Sequence, residues 1–221
     1  MNCDIPITDE KQARQYVAAR CDQVAMERMD AYVSALLSEN RQQNLIAKSS
    51  EERIWSRHIA DSAQLLRFVS RETKLLPSPW MDLGSGPGLP GLVVAIMRPE
   101  WPVVLVESRR RRAEFLGGLR EKLNISNCKV EGTRLERVEP LETGVLSARA
   151  FAPLDRLLRL SAPFSTEHTR YILPKGRSAS QDLSALPANI RRGFHVEHSL
   201  TNPEAGIIVG HMPPNGRRHV A

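Results

Sequence analysis

The stretch Met81-Asp82-Leu83-Gly84-Ser85-Gly86-Pro87-Gly88-Leu89-Pro90-Gly91 decides how this chain is read. It follows the turn-forming Pro77-Ser78-Pro79-Trp80 and precedes the apolar run at residues 92–97. Glycines at 84, 86, 88 and 91 mark a backbone that bends sharply or lets a ligand come close. A short apolar strand that ends in Gly-x-Gly and feeds a helix is a cofactor loop, because the helix start supplies free N–H groups. Pro90 suits the first turn of that helix and Pro99 stops it.

Working outward, the run Val103 to Glu107 reads as a buried strand and "SRRRRAEFLGGLREKLN" as a helix, weakened at Gly117-Gly118. "CKVEG", "GVLSARA" and "RYILPKG" read as three further strands, each reached after a helix or loop. This alternation argues for βαβ units and a doubly wound, mainly parallel α/β sheet. "GFHVEHSL" and "AGIIVGHM" are joined by the tight "TNPE", too short for a crossover, so they are expected as an antiparallel hairpin on that sheet.

Residues 9 to 70 read as helical. Met29, Val33, Leu36 and Leu37 recur at helical spacing, as do Trp55, Ile59, Leu66 and Val69, and "DEKQARQYVAARCDQ" is a shorter helix ahead of them. A polar link beginning at Ser38 is expected to separate the two longer helices, with Ser50 as N-cap of the second. The expected organisation is a helical extension over 1–75, a cofactor-binding domain over 76–212 and a loose tail over 213–221.

The 221 residues suit one domain with a small extension, and 41% apolar content is enough for a core. The formal charge is +6, carried by 31 basic against 25 acidic residues, with arginine far outnumbering lysine. Arginine suits bidentate phosphate contacts, and a modest positive balance permits a nucleic-acid partner. Three scattered cysteines and 6 histidines form no metal-ligating pattern. The cysteines read as free thiols in a reducing compartment. No secretory signal stands at the N-terminus and no run approaches about 18 apolar residues. The expectation is a cytoplasmic protein with no membrane partner, and nothing demands more than a monomer.

Two ligand classes compete for the loop. Gly86-x-Gly88-x-x-Gly91 fits a dinucleotide fingerprint, and Gly84-x-Gly86-x-Gly88 fits the loop of nucleoside-binding methyltransferases. Glu107, roughly 20 residues beyond Gly84, is placed to accept from ribose hydroxyls, which either ligand presents. Asp82 separates them. A carboxylate inside the first strand would oppose a diphosphate, but it tolerates the amine and sulfonium of S-adenosylmethionine. Tyr171 and Lys175 match a dehydrogenase spacing that requires a helix, which Pro174 and the β-type run deny.

With these residues in view, the chain resembles the bacterial small-subunit (16S) ribosomal RNA guanine-N7 methyltransferases, the glucose-inhibited division protein B family. "DLGSGPGLPG" carries the resemblance, with "RHIADS" (57–62) upstream, "ARAFAPL" (148–154) and "LPKG" (173–176) downstream, and Arg111-Arg112 with Phe115-Leu116 between them. Residues 39–46 keep the asparagines of a family "WNKxxNLT" motif and lose its Trp and Thr. "NPEAGII" stands where many members carry Gly-Glu-Arg-His.

The resemblance implies a seven-stranded class I methyltransferase sheet, S-adenosylmethionine as cofactor, and transfer to N7 of one guanine in the 530 loop of 16S rRNA. The partner it implies is that rRNA, within a small ribosomal subunit or an assembly intermediate. Guanine N7 has its lone pair free, so no general base is expected. The expected cofactor contacts are Gly84, Ser85, Gly86, Gly88 and Leu89 in the loop, Asp82 beside the methionyl part and Glu107 on the ribose. Thr133 and Arg134 frame the adenine. Arg149 and Lys175, at the ends of two strands, position the substrate, and Arg149 also touches the cofactor. Arg111, Arg112 and Arg134, with Arg149 and Lys175, form the RNA contact. A salt bridge from Arg149 to Asp155 is the plainer alternative. Arg57, His58 and Asp61 form a pocket wall, His58 and Asp61 facing the sheet, with Arg57 and Asp61 able to pair across one helical turn.

Overall fold

The computed structural model describes residues 5–69 and 78–213. Asp9 caps α1 (Glu10–Ala18) by accepting from the Gln12 N–H, and Asp22 caps α2 (Gln23–Gln43) by accepting from the Ala25 N–H. Each satisfies a donor that a helix start leaves unpaired. Of the expected stripe, Met29, Val33 and Leu36 are buried along α2 and Leu37 is half-buried. The polar link begins later than expected. The helix runs through Ser38 to Gln43 and ends at Asn44, in the left-handed conformation.

The second expected helix is irregular. A 3-10 turn at Lys48–Arg53 leads into a π-helical stretch, Trp55–Ala60, then one α-helical turn, α3 (Asp61–Ala63), and a 3-10 segment, Gln64–Phe68. Ser50 is not an N-cap: it lies inside the first turn, where its hydroxyl donates to the Ala47 carbonyl and meets His58 Nε2 at 2.8 Å. The side chain is taken by a histidine, so no orphan backbone donor receives it.

The remaining elements alternate as expected. β1 (Trp80–Leu83), α4 (Gly91–Met97), β2 (Val103–Val106), α5 (Arg110–Lys122), β3 (Cys128–Glu131) and β4 (Val145–Ala148) come first. They are followed by α6 (Leu154–Ser161), β5 (Arg170–Pro174), α7 (Ala179–Ser184), α8 (Ala188–Arg191), β6 (Phe194–His198) and β7 (Gly206–His211). The seven strands order as β3-β2-β1-β4-β5-β7-β6, parallel except where β7 pairs with β5 and β6. The doubly wound sheet and its antiparallel C-terminal pair are thus as expected. "TNPE" belongs to a longer connection, residues 199–205, which reaches back to Gln64 and Asp61.

Strand alternation divides the core between two faces. Trp80, Val103, Leu105 and Val145 pack with α4 and the N-terminal helices, while Met81, Leu83, Leu146 and Ala148 pack with α6 and α7. Residues 7–69 therefore share the core of one sheet face. The boundary expected at 75/76, Cys3, and the tail beyond Pro213 lie outside the described residues.

Strand order reverses between β1, which runs on to β2, and β4. In open α/β sheets, ligands bind beyond the carboxyl ends of the strands at such a point. The glycine loop leaves β1 there.

Candidate functional site

The glycine loop is built to fold on itself. Gly84 (φ 67°) and Gly88 (φ 107°) adopt backbone conformations that side chains rarely accept, and a Cβ at Gly84 would lie 2.6 Å from Phe151 Cδ2. Gly86 (φ 58°) is buried too, but the nearest atom to a Cβ there is Arg112 Nη1 at 3.8 Å, an ordinary contact with the end of a flexible side chain. Tyr32 of α2 braces the loop from behind, its hydroxyl donating to the Pro87 carbonyl at 3.0 Å.

Three residues expected at the cofactor turn inward instead. The Ser85 hydroxyl donates to the Asp82 carbonyl, and Leu89 packs in the core, so both side chains are buried. Asp82 is enclosed as well. Its Oδ2 accepts from the Gly91 N–H at 3.1 Å and its Oδ1 from Ser147 at 2.7 Å. Residues 80 and 82 share the sheet face covered by α4, and the carboxylate points at that helix start. It braces the loop.

Glu107 follows β2 and holds the loop from the other side. Its Oε2 accepts from the Gly86 N–H at 2.9 Å and its Oε1 from the Arg109 N–H at 2.7 Å. A carboxylate oxygen keeps a further lone pair after one such bond, so this bracing leaves Glu107 able to meet a hydroxyl. Gly84, Glu107, Arg112, Thr133, Arg134 and Phe151 line a cavity of about 600 Å³ at the switch point.

A second cavity, of about 680 Å³, lies over the ends of β4 and β5 and is lined by Arg57, His58, Asp61, Arg149, Lys175 and Thr201. Ala150 borders both cavities and holds a left-handed backbone (φ 53°). A non-glycine residue there carries about 1–2 kcal/mol of strain, a cost found where function fixes the backbone.

His58 and Asp61 face the end of β4 as expected. Arg149 Nη1 stands 3.3 Å from His58 Nδ1 and 3.9 Å from Asp61 Oδ2. Since arginine only donates, Nδ1 accepts, and Nε2–H is left to donate to Ser50. Burial, then the charges of Arg149 and Arg57, push the His58 pKa down to about 3, so the ring is neutral. Burial raises the Asp61 pKa while Arg149 opposes the rise.

Two expected pairings are replaced. Asp155 pairs with Arg159 at 2.9 Å, and Asp61 faces Arg149 rather than Arg57. Lys175 lines the second cavity with its amine 3.3 Å from Asp182, partly neutralised before any substrate arrives.

Arg111 and Arg112 diverge. Arg112 lines the first cavity, whereas Arg111 lies by Glu39 and Gln43 of α2, with its carbonyl accepting from Gln43 at 3.3 Å. Adjacent helix positions are about 100° apart, so the pair cannot face one ligand. Ser147, Phe151, Ala150, Gln64 and Thr201 were not legible as site residues. Ala150 acts through its backbone conformation and the others through contacts between distant segments, none of which leaves a local signal.

The reversed strand order with a glycine loop at the switch point defines a class I, Rossmann-like methyltransferase fold. Solved structures share it: a mutant of MtNAS in complex with S-adenosylmethionine (TM-score 0.55, 19% identity, 94% of this chain and 85% of that one). The RNA methyltransferase from Salinibacter ruber in complex with S-adenosyl-L-homocysteine is a second (TM-score 0.50, 12% identity, 69% and 90%). At these identities the likeness is one of fold alone.

A profile of rRNA small subunit methyltransferase G, GidB, matches residues 25–203, and this chain belongs to that family. The "Ribosomal RNA small subunit methyltransferase G" of Erythrobacter litoralis is 58% identical over 204 residues, 92% of this chain and 97% of that protein. Its namesake in Sphingopyxis alaskensis is 52% identical over 208 residues, 92% and 87%.

Proposed function

We propose that this chain transfers the methyl group of S-adenosylmethionine to N7 of one guanosine in the 530 loop of 16S rRNA. The observation that carries this reading is the pair of adjoining cavities, one at the glycine loop and one ringed by arginines, meeting at Ala150. The family membership supports the cofactor and the rRNA substrate.

The first cavity fits the cofactor's chemistry. Gly84 lines it, Glu107 offers acceptors to a ribose diol, and Thr133 and Arg134 on the same wall frame the adenine in this reading. Gly84 and Gly88 shape the loop while Asp82 holds it from below. When bound, S-adenosylmethionine supplies an electrophilic methyl group on a sulfonium centre.

N7 needs no deprotonation, so the protein's task is alignment within about 3–3.5 Å. Arg149, held by His58, orients the base or its phosphate. Arg57, Arg112 and Arg134 take backbone phosphates, which position the RNA without reading sequence. Lys175 contributes charge after Asp182 has taken part of it. A flipped base is cheapest to present from a loop.

We further propose that residues 1–75 act as a helical extension of a methyltransferase unit spanning 76–212. The protein would work as a monomer in the cytoplasm, on a small subunit or an assembly intermediate.

The test is transfer of label from S-adenosylmethionine to small subunits lacking the modification, with naked 16S rRNA alongside. Label on either substrate supports the reaction. No label on both, with the cofactor still bound, contradicts it and leaves a binding-only role.

A further inference from the structure

Asp61 is a carboxylate with one oxygen supplied with donors and the other not. Its Oδ1 accepts from Thr201 Oγ1 at 2.7 Å and from Gln64 Nε2 at 2.8 Å. Its Oδ2 receives no hydrogen bond among the described residues. Arg149 Nη1 at 3.9 Å is beyond hydrogen-bond range. The Asp61 side chain is only 21% exposed and borders the second cavity. Oδ2 is therefore an acceptor open to whatever fills the cavity, while Oδ1 is already engaged.

The groups around it narrow what that occupant is. Arg53, Arg57, Arg149 and Lys175 bring donors to the cavity, and Asp61 is the one acid among the described residues that line it. His58 is used on both nitrogens, by Arg149 and by Ser50. The wall therefore offers a carboxylate oxygen beside an arginine, too far apart to satisfy each other. Guanine presents the complement on one edge: N1–H and N2–H donors beside the O6 acceptor.

The geometry points to Asp61 Oδ2 as the acceptor for the N1–H and N2–H edge of the target guanine, with Arg149 donating to O6. This assignment rests on the reaction proposed above. N7 lies on the opposite side of the purine from N2–H, so a base seated on Asp61 turns N7 away from it. The two cavities adjoin at Ala150, which lines both. Enzymes that act on an extruded base commonly read this edge.

Two consequences follow chemically. Adenine carries an acceptor at N1 and would meet the carboxylate lone pair to lone pair, so Asp61 selects against it. Attack by N7 leaves the ring positively charged and its N1–H more acidic. A carboxylate already on that hydrogen stabilises the charge as it forms. Asp61 thus bears on base choice and on rate, through the substrate itself.

The test uses the full chain saturated with S-adenosylhomocysteine and titrated with 7-methyl-GMP, GMP and AMP. The wild type is expected to bind 7-methyl-GMP most tightly and GMP about tenfold or more tighter than AMP. Asp61→Asn preserves the shape and an acceptor for Thr201, and is expected to lose both preferences while binding S-adenosylhomocysteine unchanged. In single-turnover methylation it should lower the transfer rate more than the rRNA affinity. Equal affinity of the wild type for the three nucleotides, binding of none, or preferences that survive Asp61→Asn would overturn the assignment. Methyl transfer by a wild type that shows no preference removes Asp61 as the reader and leaves the reaction standing. Absence of transfer to any rRNA removes the reaction itself.

Discussion

Ser147 and Asp82 stand opposite each other in the parallel register of β4 and β1, and the serine hydroxyl donates to Asp82 Oδ1 at 2.7 Å. Trp80 Nε1 donates to the same serine at 2.8 Å, and Gly91 N–H closes the network on Oδ2 at 3.1 Å. Burial pushes the Asp82 carboxyl up to about 6, with Ser147 and Gly91 restraining the rise. Ser147→Ala would leave a buried indole N–H without its acceptor and Oδ1 without its donor. The expected loss is about 1–3 kcal/mol of unfolding free energy, read from urea denaturation.

Gly86→Ala separates the backbone's needs from the ligand's. With nothing nearer than 3.8 Å to the added Cβ, the fold loses only the strain of a left-handed alanine, about 1–2 kcal/mol. Calorimetric titration with S-adenosylmethionine is expected to show a loss of affinity as well, because the strain falls on the loop residue whose N–H holds Glu107 Oε2. Unchanged affinity would place the ligand elsewhere.

Glu107→Gln keeps the shape and replaces one acceptor by an NH2 group, which then opposes the N–H of Gly86 or Arg109. Hydrogen bonds to charged acceptors are worth about 1.5–3 kcal/mol. The expected outcome is a weakening of S-adenosylmethionine binding of about tenfold or more, with methylation recovered at high cofactor concentration. A loss of rate that saturating cofactor does not repair would contradict the ribose role.

His58 gives the fold a pH dependence whose sign is fixed. Its pKa falls from 6.5 when unfolded to about 3 in the folded chain, under burial and the charges of Arg149 and Arg57. The unfolded chain therefore binds the proton first as pH drops. The stability contributed is full above about 6.5 and is lost between there and about 3, at up to about 1.4 kcal/mol per pH unit. His58→Gln should flatten the dependence of the urea midpoint over pH 6.5 to 4 by about one proton. An identical slope in the variant would mean that the ring is already charged when folded.

Much of this was legible in the sequence, for physical reasons that vary by element. The glycine loop and strand alternation are local patterns, so the parallel sheet and its antiparallel end could be read directly. The segment after Ser50, to about residue 70, reads as one regular helix, because apolar spacing reports which side is buried and not how the backbone is wound. Asp82 was assigned to the ligand because its position in the strand was visible and its register partner Ser147 was not. Arg149 was placed correctly at a strand end, yet its partners His58 and Asp61 lie far away in sequence. Ala150 gives no sign of a left-handed backbone in the sequence, because nothing in the residue type marks it.

The most direct test of the central claim is the position of the methyl group. Small subunits lacking the modification would be methylated with the purified protein, and their 16S rRNA cleaved chemically at N7-methylguanosine. The account predicts one cleavage, at a guanosine of the 530 loop, absent when protein or S-adenosylmethionine is omitted. Label incorporated without N7 cleavage, or cleavage at a guanosine outside that loop, would contradict it.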